Sequence, residues 1–176
     1  MALDTLTDMR RMTRRQLLTG ATALGAFVIG NGYVTAAKAD WATEMVAMKP
    51  EDFATLIQMA RDIYPHDRVA DEFYVRAVKS YDVQDKAEMA EAGIRALNQR
   101  SREMKGEDYL DIGWERDRVD VLRSMEDDDF FQTVRGGLVT GLYNQKEVWP
   151  IFGYEGSSYE HGGYIDRGFD DITWIG

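Results

Sequence analysis

The chain has two imidazoles, His66 and His161, and each stands beside a carboxylate, Asp67 and Glu160 respectively. Imidazole and carboxylate together can move a proton near neutral pH. Neighbours in sequence usually point apart, however, and Pro65-His66-Asp67 is also good turn chemistry, so neither pair reads as a catalytic dyad. A metal site would have to draw on carboxylates such as Glu88, Glu91 and Glu103 with His66, but the Glu-x-x-His spacing of di-iron bundles is missing. The run Glu126-Asp127-Asp128-Asp129 lacks the Asp-x-Asp-x-Asp-Gly order of a calcium loop and reads as a solvated helix start. Cysteine is absent, which excludes disulfides, thiolate-bound iron–sulfur clusters and covalently attached c-type haem. The expectation is no catalytic, metal-binding or cofactor-binding residue in this chain, with any redox cofactor carried by another polypeptide. An enzyme working through His66 or His161, or a free binding module, is the alternative.

The elements available to position these residues are helical. Lys49-Pro50-Glu51-Asp52 reads as a helix start, with proline at the first position and acids at the positive end of the dipole. Phe53, Leu56, Ile57 and Ala60 then recur at helical spacing, and Pro65 should end the element at Tyr64. A second helix is expected with Asp71 as its cap, carrying Phe73, Val75, Ala77 and Val78. A third, Lys86–Met104, opens at Asp85, buries Met89, Ala90, Gly93, Ile94 and Leu97, and stops at Gly106. A fourth runs near Arg116–Met125 with Val119 and Leu122 inward. A fifth follows the acidic run, with Phe130, Phe131, Val134, Leu138, Val139 and Leu142 inside. Gly136, Gly137 and Gly141 weaken that helix by roughly 1 kcal/mol each relative to alanine, so they mark either a close helix approach or tolerated defects. No strand pattern of useful length appears, and the expected class is all-α, about five helices in one small domain over 40–148.

Residues 1–39 have the three parts of an export signal in order. Arg10, Arg11, Arg14 and Arg15 lead into an apolar stretch from Leu17 to about Val34, and Ala37 and Ala39 form a small-x-small cleavage site before Asp40. Arg14, Arg15, Leu17 and Leu18 resemble the core of a twin-arginine signal, an address read by a translocase that moves proteins already folded. The glycines and threonines of the stretch dilute its hydrophobicity, which favours a cleaved signal over a retained anchor. These 39 residues hold five of the 21 basic and two of the 31 acidic residues, leaving 16 basic and 29 acidic in 40–176, a net charge of −13. Such a charge repels nucleic acid and anionic lipid.

The last stretch, 149–176, interleaves Trp149, Phe152, Tyr154, Tyr159, Tyr164, Phe169 and Trp174 with Gly153, Gly156, Gly162, Gly163 and Gly168. It has neither a 3.6 nor a 2.0 period, so it reads as an irregular tail. It is too aromatic for a disordered composition. Rings of this size each bury on the order of 150–250 Å2 when they pack. The tail therefore either folds back on its own helices or docks on a partner, and the seven rings are the candidate partner-binding residues.

Trp149-Pro150-Ile151-Phe152-Gly153-Tyr154-Glu155-Gly156, then Gly162-Gly163-Tyr164, then Asp171-Ile172-Thr173-Trp174, resembles the C-terminal signature of the gluconate 2-dehydrogenase subunit 3 family. Ile63-Tyr64-Pro65-His66-Asp67 resembles that family's first proline-containing turn. The resemblance implies a small subunit without a cofactor of its own, in a periplasmic complex associated with the inner membrane. Its implied partners are a large FAD-containing subunit of the glucose–methanol–choline type, which oxidises a sugar or alcohol, and a multihaem cytochrome c. The small subunit would aid the large one's folding and carry it through the twin-arginine translocase.

Overall fold

The computed structural model describes residues 45–165, together with the backbone of two three-residue strands, Phe27–Ile29 and Gly32–Val34, paired antiparallel with Phe27 opposite Val34. Within 45–165 every regular element is helical: α1 Pro50–Ile63, α2 Asp71–Val78, α3 Gln84–Lys105, α4 Glu115–Arg123 and α5 Asp129–Tyr143. Single 3-10 turns follow α2, precede α4 and form the start of the tail at Trp149–Phe152. The class is all-α, as the hydrophobic spacing indicated.

Helix α1 is the hub. Pro50 sits in its first turn, Glu51 and Asp52 follow, and the chain leaves the helix at Tyr64, ahead of Pro65. The spacing suggested one apolar face, but every residue from Phe53 to Ala60 is buried, Thr55 and Gln58 included. The reason is that α1 contacts α2, α3, α4 and α5. A helix surrounded by neighbours has no wet face. Its Leu56 and Ile57, each worth about 1.5–3 kcal/mol when fully buried, meet a core completed by Tyr74, Val78, Ile94, Leu97, Val121, Val134, Leu138 and Leu142.

Other expectations need correction. Asp71 does not cap α2; it is the first helical residue, Ala70 holds the cap position without a side-chain bond, and Asp71 instead pairs with Arg61 at 2.7 Å. Helix α3 begins at Gln84, and its inner stripe is Ala87, Ala90, Gly93, Ile94, Leu97 and Ser101. Met89 lies off that stripe and is exposed. On α4 the inward residues are Arg118, Val121 and Leu122, while Val119 is only half-buried. Val139 on α5 faces solvent, because the 3-and-4 spacing that buries Phe131, Val134, Leu138 and Leu142 turns it outward.

The glycines separate cleanly. A Cβ on Gly141 would stand 2.8 Å from the carbonyl oxygen of Ala77, so α2 and α5 meet backbone to backbone there. One on Gly137 would meet the Tyr81 hydroxyl, and one on Gly93 the ring of Phe130, which lies across α3. Gly136 faces open space. Gly106 ends α3 in the left-handed region at φ 84°, the conformation that glycine adopts without a side-chain clash.

Candidate functional site

The turn after α1 and the first turn of the tail meet over the end of α5. His66 Nε2 lies 2.7 Å from the Tyr143 hydroxyl, in a hydrogen bond whose direction depends on the tautomer. The His66 ring stands edge-to-face with Tyr143 at 5.6 Å and with Phe152 at 4.9 Å, and Tyr64 packs on Tyr143 at 5.6 Å. The Tyr74 hydroxyl donates to the Tyr64 carbonyl and fixes the exit of α1. Burial, and then the positive charge of Arg61, hold His66 below its ordinary pKa. The same position of Tyr143 is gripped from the other side, because its carbonyl accepts from Trp149 Nε1 at 2.8 Å.

Trp149 is the inner anchor of the tail. Tyr154 stands edge-on to its indole at 5.2 Å, Gly156 lies against the ring with φ 103°, and Lys146 Nζ sits 5.7 Å from its centre. Beyond this point attachment thins. The tail makes one 3-10 turn at Ser158–His161, and its remaining ties are exposed, such as Lys146 with Glu160 at 3.4 Å. Tyr159 is 91% exposed, Tyr164 71% and Ile165 83%, against 52% for Tyr154 and 45% for Phe152. The tail is therefore divided: Trp149 and Phe152 pack on the helical domain, whereas Tyr159 and Tyr164 present bare rings.

Each histidine ring bonds a group other than its neighbour in sequence. His66 bonds Tyr143 rather than Asp67, and the His161 ring reaches the Glu155 carbonyl at 3.3 Å while Glu160 turns to Lys146. Glu91 accepts from the Lys49 N–H and Glu103 from Gln99, so these two glutamates serve separate roles. Among the described residues no group of three or more His, Cys, Asp or Glu could hold a metal ion. A depression of about 230 Å3 on α3 is lined by Ala96, Gln99, Arg100, Glu103, Met125 and Asp128. No helix among the described residues is long and apolar enough to cross a membrane. The export residues Arg14, Arg15, Leu17, Leu18, Ala37 and Ala39, and the rings of Phe169 and Trp174, lie outside the described residues.

Two polar constellations escaped the sequence reading. Asp62 is buried between α1 and α4 and accepts from Arg118 Nε at 2.6 Å and Nη2 at 3.0 Å, from the Tyr109 hydroxyl at 2.7 Å and from Gln58 at 3.0 Å. Burial first, and the charge of Asp62 next, push the Tyr109 hydroxyl well above its ordinary pKa. Four donors on one carboxylate satisfy it, which is how a buried ion pair is tolerated. Asp82 is likewise buried and accepts the successive N–H groups of Val46, Ala47 and Met48, each at 2.9 Å, plus Lys79 Nζ at 3.0 Å. Only Gln58 and Lys79 are local to their carboxylate; the other partners stand 34 to 56 positions away in sequence, where no local pattern announces them.

No protein-family model matches the chain, nor does any curated protein or solved structure.

Proposed function

We propose that this protein is a non-catalytic accessory subunit of an exported, FAD-dependent sugar or alcohol dehydrogenase of the glucose–methanol–choline type. It docks on the large subunit through the outer part of its aromatic tail and travels with it through the twin-arginine translocase to the periplasm. The observation that carries this reading is the set of bare apolar side chains at Tyr159, Tyr164 and Ile165 on a segment whose rings pack on the domain at its base, Trp149 and Phe152. Isolated exposed rings are common, but several on one loosely held segment suit an interface anchored by aromatic residues. The tail and turn motifs resembling the subunit 3 family, the absence of cysteine and the arginine-led N-terminus support the same assignment.

The test is co-expression with a candidate flavoprotein, followed by affinity capture of this chain and an absorption spectrum of what is retained. Yellow, FAD-bearing material is expected with the wild type, and the double variant Tyr159→Ala/Tyr164→Ala should lose it while keeping its helical content. Undiminished capture by that variant would remove the docking role of these rings. Turnover of a substrate by the purified chain alone would overturn the accessory reading itself.

A further inference from the structure

We infer that His66 is an acid-sensitive latch for the tail: neutral, it seats Phe152 at the outer end of the turn Trp149–Phe152 on the helical domain, and protonated, it lets Phe152 go. The latch is independent of the docking assignment, because it lies wholly in how this chain holds its own segment. Three groups of the turn meet the domain: Ile151 packs against the hydrophobic core, the Trp149 indole bonds the Tyr143 carbonyl, and the Phe152 ring at the outer end lies on His66 and Tyr143. His66 touches both sides of the last contact. It bonds the Tyr143 hydroxyl and receives the Phe152 ring edge-to-face, so the seat of Phe152 is largely made of the imidazole and Tyr143. Past Phe152, Gly153 sits in the left-handed region at φ 76° with open space where a side chain would be, so the chain can pivot there.

The charges around the imidazole set the sign. From α1 come Arg61 and Tyr64, from α2 Tyr74 and Asp71, from α5 Tyr143, and from the tail only the uncharged Phe152. Asp71 is engaged with Arg61, and the flanking Asp67 and Arg68 are exposed. Among the described residues the ring bonds the Tyr143 hydroxyl and no carboxylate. Burial first, and then the positive charge of Arg61, lower the folded pKa. A lowered imidazole pKa means that the seat is fully favourable above the ordinary value near 6.5 and weakens as pH falls through the folded value. Releasing Phe152 re-exposes the imidazole to water and relieves the cost of charging it.

Linkage makes this testable from both ends, since two coupled events must influence each other equally. In the full chain carrying His161→Gln, His66 gives the sole imidazole proton signal, and its midpoint is followed by NMR with and without Phe152→Ala. Phe152 is nearly half exposed, so this change leaves the fold intact. The midpoint is expected to rise towards the ordinary histidine value when Phe152 is removed. Amide exchange of Trp149–Gly153, corrected for intrinsic rate, should increase severalfold between about pH 7.5 and about pH 5, the range in which histidine titrates. The variant His66→Phe, which keeps a ring but not the proton, should abolish that increase. A midpoint unmoved by Phe152→Ala, or an acid-dependent increase that persists in His66→Phe, would overturn the latch.

Discussion

Asp82 is almost without solvent and yet ionised. Burial pushes its carboxyl up, but the N–H groups of 46–48 and the Lys79 ammonium outweigh that and hold it far below the usual carboxylate range. A folded pKa below the unfolded one contributes stability that is complete above about pH 4 and is lost as pH falls through the folded value. Urea unfolding at a series of pH values should therefore show stability declining below about pH 4, and Asp82→Asn should flatten that decline. At neutral pH the same variant should cost about 1–3 kcal/mol, because a charge-assisted acceptor is replaced by a neutral one. Asp62→Ala is a harsher change, since it strands the Arg118 guanidinium inside the domain; a loss of about 3–5 kcal/mol is expected. Adding Arg118→Leu should recover part of it, and a double-mutant cycle measures how much.

At the scale of elements the contact between α2 and α5 decides which glycines matter. Alanine raises helix propensity by about 1 kcal/mol over glycine, so Gly136→Ala, pointing into open space, should raise the midpoint of thermal unfolding. Gly141→Ala receives the same propensity gain but drives a methyl group against the Ala77 backbone, which has no side chain to swing away. Overpacking of that kind costs about 1–3 kcal/mol, so the net change should be a lowered midpoint. Identical changes five positions apart on one helix should thus move stability in opposite directions. Circular dichroism melts of the two variants check this, and a lowered midpoint in both would contradict the open surroundings of Gly136.

For the molecule as a whole, the described part divides into a helical body and a tail whose packed rings, Trp149 and Phe152, lie near its root. Truncation after Gly153 retains Trp149 and Phe152 and removes the bare rings. Far-ultraviolet circular dichroism should therefore change little, while capture of the flavoprotein proposed above should fail. Global unfolding on truncation would instead place the outer tail in the core. The proposed carrier role has its own measurement: replacing Arg14 and Arg15 by lysine should leave the large subunit in the cytoplasm, and undiminished periplasmic activity would refute the role.

Local chemistry and spacing were enough for the helical class, for the end of α1 at Tyr64 and for the stop of α3 at Gly106. Each depends on atoms close in sequence: a proline ring against its predecessor, a glycine free to turn left-handed, apolar residues repeating along one helix. The same short range explains the misplaced residues. Met89 and Val139 are apolar but off-stripe by a fraction of a turn, and propensity alone does not say how many sides of α1 find neighbours. The Asp62–Arg118 pair, the carboxylate of Asp82 gripping 46–48 and the seat of Phe152 on His66 join residues 34 to 86 positions apart. No spacing rule reaches across such distances, so only the packed chain could bring those groups together. The aromatic tail was legible as composition, but which rings it buries and which it leaves bare was decided by tertiary structure. The physical reason is that the end of α5 offers a seat for two of them and none for Tyr159 or Tyr164.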